Sequence, residues 1–268
     1  MIPDSRKLKR GLKDISPLFE SGVSMPRMMG MELEEKPGFR LMGLFAPERA
    51  TPSLELIPFL ATLLLAKNRG TSILSFRQKR MSASPLPLAS PPPRNGKKPE
   101  HLFLVWEKFL EICESSTGAV RSPSEFSHTL FIDFDYSDPE QFQKIISILD
   151  SWVLVIRPDM ESLSECYRMM KSSMALNSHL EYFVLFDKIV DDSQASRLFE
   201  KYGEFVSRRL GIHLSWLGSV QLEKGREPLS RLALDALFMD SSNMLHSVEK
   251  RAVAEYLLQI QSFSRGYA

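Results

Sequence analysis

Two stretches of this 268-residue chain carry residue types whose spacing could do chemistry. The first is Ala46-Pro-Glu-Arg-Ala-Thr-Pro-Ser53, which lies between an expected strand and an expected helix. A loop in that place can grip phosphate. Glycines let main-chain amides close around the anion, a lysine brings charge, and a Ser or Thr holds magnesium. The segment has no glycine and no lysine. Pro47 and Pro52 each lack an amide donor, and Glu48 adds charge of the wrong sign. Ala46, Pro47, Glu48, Arg49, Pro52 and Ser53 therefore read as a degenerate loop, implausible as a tight triphosphate cradle. Only a cation reaching in from another position, such as Arg49, Arg77 or Lys79, could restore the charge.

The second stretch puts Asp133, Asp135 and Asp138 at the end of an expected strand. Three carboxylates so placed suit a hard cation, but the simpler reading is solvated or helix-capping carboxylates, and no metal is expected. His128, His179 and His213 lack ligand spacing and are read as structural. Cys113 and Cys166 make neither a disulfide framework nor a zinc site, and fit as small buried side chains. No Gly-x-Ser-x-Gly elbow supports an α/β-hydrolase. Ser207, Arg208 and Arg209 with Lys201 read as a solvated helix face.

The elements that must position these groups follow from hydrophobic periodicity. Strands are expected over 40–45, 71–76, 128–134, 152–156, 182–186 and 216–220, and helices over 54–66, 102–113, 140–149, 162–174, 193–210, 229–238 and 248–260. Strands alternating with helices of these lengths predict an α/β fold, a mostly parallel sheet with helices on both faces in a Rossmann-like three-layer sandwich. Residues 1–38 read as a basic, partly disordered arm, with a short helix over 5–19 that either packs on the body or docks a partner or membrane surface. The body spans 39–262, with a proline-rich insertion at 82–99, and 263–268 form a tail. With 34 Lys and Arg against 33 Asp and Glu, the net charge of +1 argues against binding nucleic acid by bulk charge. The longest apolar run, 56–66, contains Pro58 and is too short to span a bilayer. The basic N-terminal residues are not followed by the apolar stretch of a secretory signal, so a cytoplasmic protein is expected.

Several segments, in order, are similar to the MinD/ParA-type P-loop ATPases of the SIMIBI class, nearest the FlhG/FleN flagellar-number branch. Residues 60–76 resemble the helix and second strand after the family's phosphate loop. Thr129-Leu-Phe-Ile-Asp-Phe-Asp135 is similar to the strand that ends in a water-orienting aspartate. Trp152-Val-Leu-Val-Ile-Arg-Pro-Asp159 with Ser162, Leu163 and Tyr167 resembles the next strand and helix. Leu217-Gly-Ser-Val-Gln-Leu-Glu223 followed by Pro228 and Leu229 completes the likeness, which covers about residues 39–262.

The resemblance implies a P-loop NTPase-like sheet, and its departures fall on the ligand rim. The family's loop lysine and magnesium-binding threonine fall on Ser53 and Leu54, its signature lysine on Glu48, its second-strand aspartates near Ser75 and Arg77, and its base-contacting asparagine on Asp187. Asp133 alone keeps its carboxylate. The expectation is a pseudo-ATPase that acts by protein–protein interaction and needs no cofactor. The alternative is a divergent active ATPase that uses ATP and magnesium with Asp133 orienting water. The implied partners are a related ATPase, a signal-recognition-type GTPase or a flagellar or polar assembly component, in a homo- or heterodimer, without specific nucleic acid. The implied location is cytoplasmic, or peripheral at the cell pole or membrane.

Overall fold

The computed structural model describes residues 39–48, 50, 53–67, 70–76, 99–114, 128–189, 191–221, 229–234, 237, 249–250 and 252–257. The expected arm over 1–38, most of the proline-rich insertion, the tail, and Arg49, Thr51, Pro52, Arg77, Lys79, Glu223 and Pro228 lie outside the described residues.

Eight strands form one sheet: β1 (Phe39–Phe45), β2 (Gly70–Phe76), β3 (Glu100–Leu104), β4 (His128–Asp133), β5 (Ser151–Ile156), β6 (Glu181–Asp187), β7 (Leu214–Gln221) and β8 (Leu229–Leu232). Their spatial order is β3-β2-β4-β1-β5-β6-β7-β8. Seven strands run parallel, and β8 pairs antiparallel with β7. Every residue of β1 and β5 is buried. Their near-continuous apolar sequences suit strands covered on both faces.

The helices are α1 (Ser53–Ala66), α2 (Trp106–Glu114), α3 (Pro139–Ile148), α4 (Met160–Met174) and α5 (Asp192–Leu210), and residues 249–250 and 252–257 are also helical. Leu56, Leu60 and Leu64 of α1 pack on one sheet face against Met42, Leu44, Phe131, Val153 and Val155. Phe109, Ile145, Leu163, Tyr202 and Val253, from the remaining helices, pack on the other against Leu41, Ile132, Leu154 and Val184. The sheet is thus a middle layer with helices on both sides.

Two expectations need correction. The helix expected over 102–113 is instead β3 followed by α2. Leu102, Phe109 and Ile112 are compatible with helical spacing, yet pairing with β2 holds Glu100–Leu104 extended. In β3, His101 and Phe103 face solvent while Leu102 and Leu104 are half-buried. The helix expected over 229–238 is instead β8, followed by short-turn helical residues at Leu234 and Leu237. The open edge of β7 captures the returning chain, and the Ala233 amide extends the contact to the Leu217 carbonyl at 2.8 Å. Both strands are held by pairing with a neighbouring strand, which helical or strand periodicity within the segment does not record.

Gly43 sits where β1 must pass Trp152. A Cβ there would lie 2.6 Å from Leu149 Cδ1 and 3.2 Å from Trp152 Cδ1. Trp152 is fully buried and pairs in register with Gly43.

At the amino ends of the strands, two ion pairs tie the sheet together. Arg40 donates to Glu181 Oε2 at 2.6 Å and lies 6.0 Å from the centre of the Phe183 ring. Asp150 accepts the Leu41 amide at 2.7 Å on Oδ2, and Lys250 on Oδ1. Lys250 is only 3% exposed, and burial pushes its pKa down against the pull of Asp150. The pair fastens the terminal helical residues to the sheet.

Gly43→Ala should lower unfolding stability by about 1–3 kcal/mol, because the added methyl overpacks Leu149 and Trp152. Urea denaturation measures it, and an unchanged midpoint would show that the core yields at no cost. His128 is 5% exposed, with its Nε2 2.9 Å from Ser72 Oγ. Burial pushes its imidazole from the ordinary 6.5 down to about 4. The unfolded chain therefore takes up a proton that the folded chain refuses. Stability should fall as pH drops from 6.5 towards 4, by up to roughly 3 kcal/mol. His128→Gln should flatten this part of the profile in urea titrations at a series of pH values.

Candidate functional site

The chain leaves β1 in one direction, through α1 to β2, and leaves β4 in the other, through α3 to β5. The connections diverge beside β1, and in open α/β sheets that switch point opens a crevice outside the carboxyl strand ends. The degenerate loop and Asp133 both lie at this edge, so the fold brings together the two stretches singled out above.

The loop is a closed turn in its described part. The Ala50 amide donates to the Pro47 carbonyl at 2.8 Å. Ala46, Pro47 and Ala50 are buried, and Glu48 is exposed. Ala46 and Ala50 pack into the same cluster as Leu56 and Leu60 of α1. Tyr136 closes the turn from the β4 side: its hydroxyl donates to the Ala46 carbonyl at 3.1 Å, and its ring meets Phe45 edge-on with centroids 4.8 Å apart. Burial pushes the Tyr136 phenol up, so it remains a donor at neutral pH. Pro47 has no amide to offer and the Ala50 amide is already used. Ser53 opens α1 at the place where the family's loop lysine would fall.

The three carboxylates after β4 do not converge. Asp133 is half-buried, and its Oδ2 accepts from Ser75 Oγ at a long 3.5 Å, while Ser75 Oγ sits 2.9 Å from His101 Nε2. Partial desolvation of its ring lowers the His101 pKa. Asp135 Oδ1 is taken by Ser137, through its amide at 2.9 Å and its hydroxyl at 2.6 Å. Asp138 is the N-cap of α3 and accepts the Glu140 amide at 3.0 Å, with Pro139 at the first helical position. Among the described residues, no group of three His, Cys, Asp or Glu side chains could hold a metal ion.

The same capping recurs along the edge. Asp159 caps α4 and accepts the Ser162 amide at 2.9 Å, while Ser162 Oγ accepts the Arg157 amide at 2.9 Å. Asp191 caps α5, and main-chain and hydroxyl bonds from Ser193 hold its carboxyl below the usual range. Asp187, at the end of β6, is fully buried, and Lys188 after it takes a left-handed φ of 62°. A helix N-terminus carries partial positive charge that an anion could use. Here aspartates already occupy three of them.

Of the other sequence candidates, Cys113 and Cys166 are buried. Burial pushes the Cys113 thiol up to about 11 and Cys166 well above its ordinary value, so neither is a thiolate nucleophile at neutral pH. His179 and His213 are exposed. Sequence reading missed Tyr136 and His101, because what each touches is set by strand neighbours distant along the chain. Among the described residues, no helix is long and apolar enough to cross a membrane.

No protein-family profile and no curated protein sequence matches the chain. Solved structures do. The MinD cell division protein of Aquifex aeolicus is 13% identical, with a TM-score of 0.41 over 69% of this chain and 82% of that one. The MinC:MinD cell division protein complex of the same organism gives 12% identity and a TM-score of 0.40, again over 69% and 82%. FlhF complexed with GMPPNP and Mg(2+) gives 13% and 0.38, over 86% of this chain and 80% of that one. The α/β architecture rests on the strand order and register above.

Tyr136→Phe should cost about 1 kcal/mol, because it strips the Ala46 carbonyl of its donor. Chemical denaturation reads the loss, and an unchanged stability would mean that water replaces the hydroxyl freely.

Proposed function

We propose that this chain is a P-loop-like fold of the MinD/ParA type that has lost its grip on triphosphate and acts by binding other proteins. The observation that carries the reading is the turn after β1. The Ala50 amide is spent on Pro47, Tyr136 caps the Ala46 carbonyl, and Ala46 and Ala50 are packed into the core. A triphosphate needs convergent free amides and a cation there. What the described turn presents to solvent is Glu48.

Electrostatics supports the same reading. Glu48, Asp133, Asp135, Asp138, Asp159 and Asp191 lie along this edge, with Lys108, Arg157 and Lys188 among the described cations there. These described carboxylates work against a polyanion. A role through protein contact is supported by Phe103 and Val105, large apolar side chains 44% and 45% exposed, with His101 stacked on Phe103 at 4.3 Å. Exposed aromatic patches of this kind are typical of recognition surfaces. The partner classes follow the family resemblance: a related ATPase, a signal-recognition-type GTPase, or a flagellar or polar assembly component, met in the cytoplasm or at the cell pole.

Fluorescently labelled ATP with magnesium, titrated into the full chain, should bind more weakly than about 1 mM and show no turnover. Micromolar binding with hydrolysis that Asp133→Ala abolishes would overturn the reading in favour of a divergent ATPase.

A further inference from the structure

Near the carboxyl ends of β2, β3 and β4, one hydroxyl stands between a base and a carboxylate. Ile73 packs in the cluster under α1, and alternation along β2 puts Ser75 on that same face. The register sets His101 of β3 beside Ile73, and Asp133 of β4 beside Ser75. Ser75 Oγ lies 2.9 Å from His101 Nε2 and 3.5 Å from Asp133 Oδ2. The first distance is a sound hydrogen bond and the second is at the limit of one. The His101 ring is held by stacking on Phe103, with centroids 4.3 Å apart and planes 24° from parallel. Partial desolvation lowers its pKa, so it is a neutral imidazole at pH 7 and one ring nitrogen can accept a proton. A hydroxyl within hydrogen-bond reach of a neutral imidazole is the starting point for a serine nucleophile.

The sheet holds a second pair of this kind, which separates the chemistry from access. Ser72 Oγ lies 2.9 Å from His128 Nε2, but Ser72 is 0% and His128 5% exposed, and that pair is sealed in the sheet. Ser75 is 8% exposed and its partner His101 is an exposed residue of the edge strand. Ser75 also sits at the carboxyl edge, where ligands of open α/β sheets bind.

We propose that Ser75 is a nucleophile, with His101 as its general base, towards neutral aromatic esters. Ser75 Oγ attacks the ester carbonyl carbon as its proton passes to His101 Nε2. The carbonyl re-forms as the bond to the leaving oxygen breaks, and that oxygen takes the proton from His101. The products are the acylated Ser75 and a free alcohol. Water then gives a proton to His101 and attacks the acyl carbon, the carboxylic acid leaves, and Ser75 Oγ recovers its proton. No oxidant or cofactor enters the balance. Asp133, whose Oδ2 reaches the same hydroxyl, stabilises the transient imidazolium. Its charge, with that of Glu48, disfavours an anionic acyl donor, and the Phe103 ring suits an aromatic one. The step uses no nucleotide, so it stands apart from the reading of the turn after β1.

The full chain incubated with an uncharged fluorophosphonate tests the proposal. Ser75 Oγ attacks phosphorus, fluoride leaves, and the stable adduct is located by peptide mass spectrometry. Ser75 should carry the adduct and Ser72 none. His101→Gln, made at an exposed position, should slow the labelling at least about a hundredfold with the thermal midpoint unchanged. With 4-nitrophenyl acetate the chain should release about one equivalent of 4-nitrophenolate in a burst, and Ser75→Ala should abolish it. An unlabelled Ser75 in the unaltered chain, labelling as fast in His101→Gln, or a burst that survives Ser75→Ala would overturn the proposal.

Discussion

The structure depends on β1 being buried on both faces between β4 and β5. That position requires a strand apolar at nearly every position, its one charge at Arg40 paired, and thin where it passes Trp152, which Gly43 provides. It also sends the chain away from β1 and from β4 in opposite directions, which opens a crevice at the carboxyl edge. The amino edge is closed by the Arg40–Glu181 and Asp150–Lys250 pairs, which join β1, the start of β6 and the terminal helical residues. Removing one member of such a pair would strand a buried charge, so the pairs hold their geometry whether or not they add net stability.

The two edges differ in what they do with helix ends. At the carboxyl edge α3, α4 and α5 begin, and Asp138, Asp159 and Asp191 cap them. Each cap satisfies amides that a bound anion would otherwise take. At the amino edge α4 and α5 finish beside a cavity lined by Met174 and Gly211. At the carboxyl edge the protein's own carboxylates thus take helix-terminal amides themselves.

The closed turn after β1 shows how composition and tertiary contact reinforce each other. The lack of glycine and lysine is a matter of composition. That Ala46 and Ala50 join the core and that Tyr136 caps the Ala46 carbonyl follows only from β4 lying beside β1. The neighbouring carboxylates teach the same lesson. Asp133, Asp135 and Asp138 look like one cluster along the chain, but the strand end, the turn and the helix start send them to three different partners.

Six strands, five helices and the parallel sheet were legible in the residues themselves. Buried strands there are continuous apolar runs, and the amphipathic helices repeat every three to four residues, both local properties of the chain. The strands β3 and β8 were not legible, because each is extended only through pairing with the edge of a neighbour: β2 for Glu100–Leu104 and β7 for Leu229–Leu232. The contacts of Tyr136 and His101, the burial of Lys250 against Asp150 and the cavity at the amino edge also belong to tertiary structure alone. Each joins residues far apart in sequence, and one-dimensional periodicity holds no record of which distant groups the packed sheet brings together.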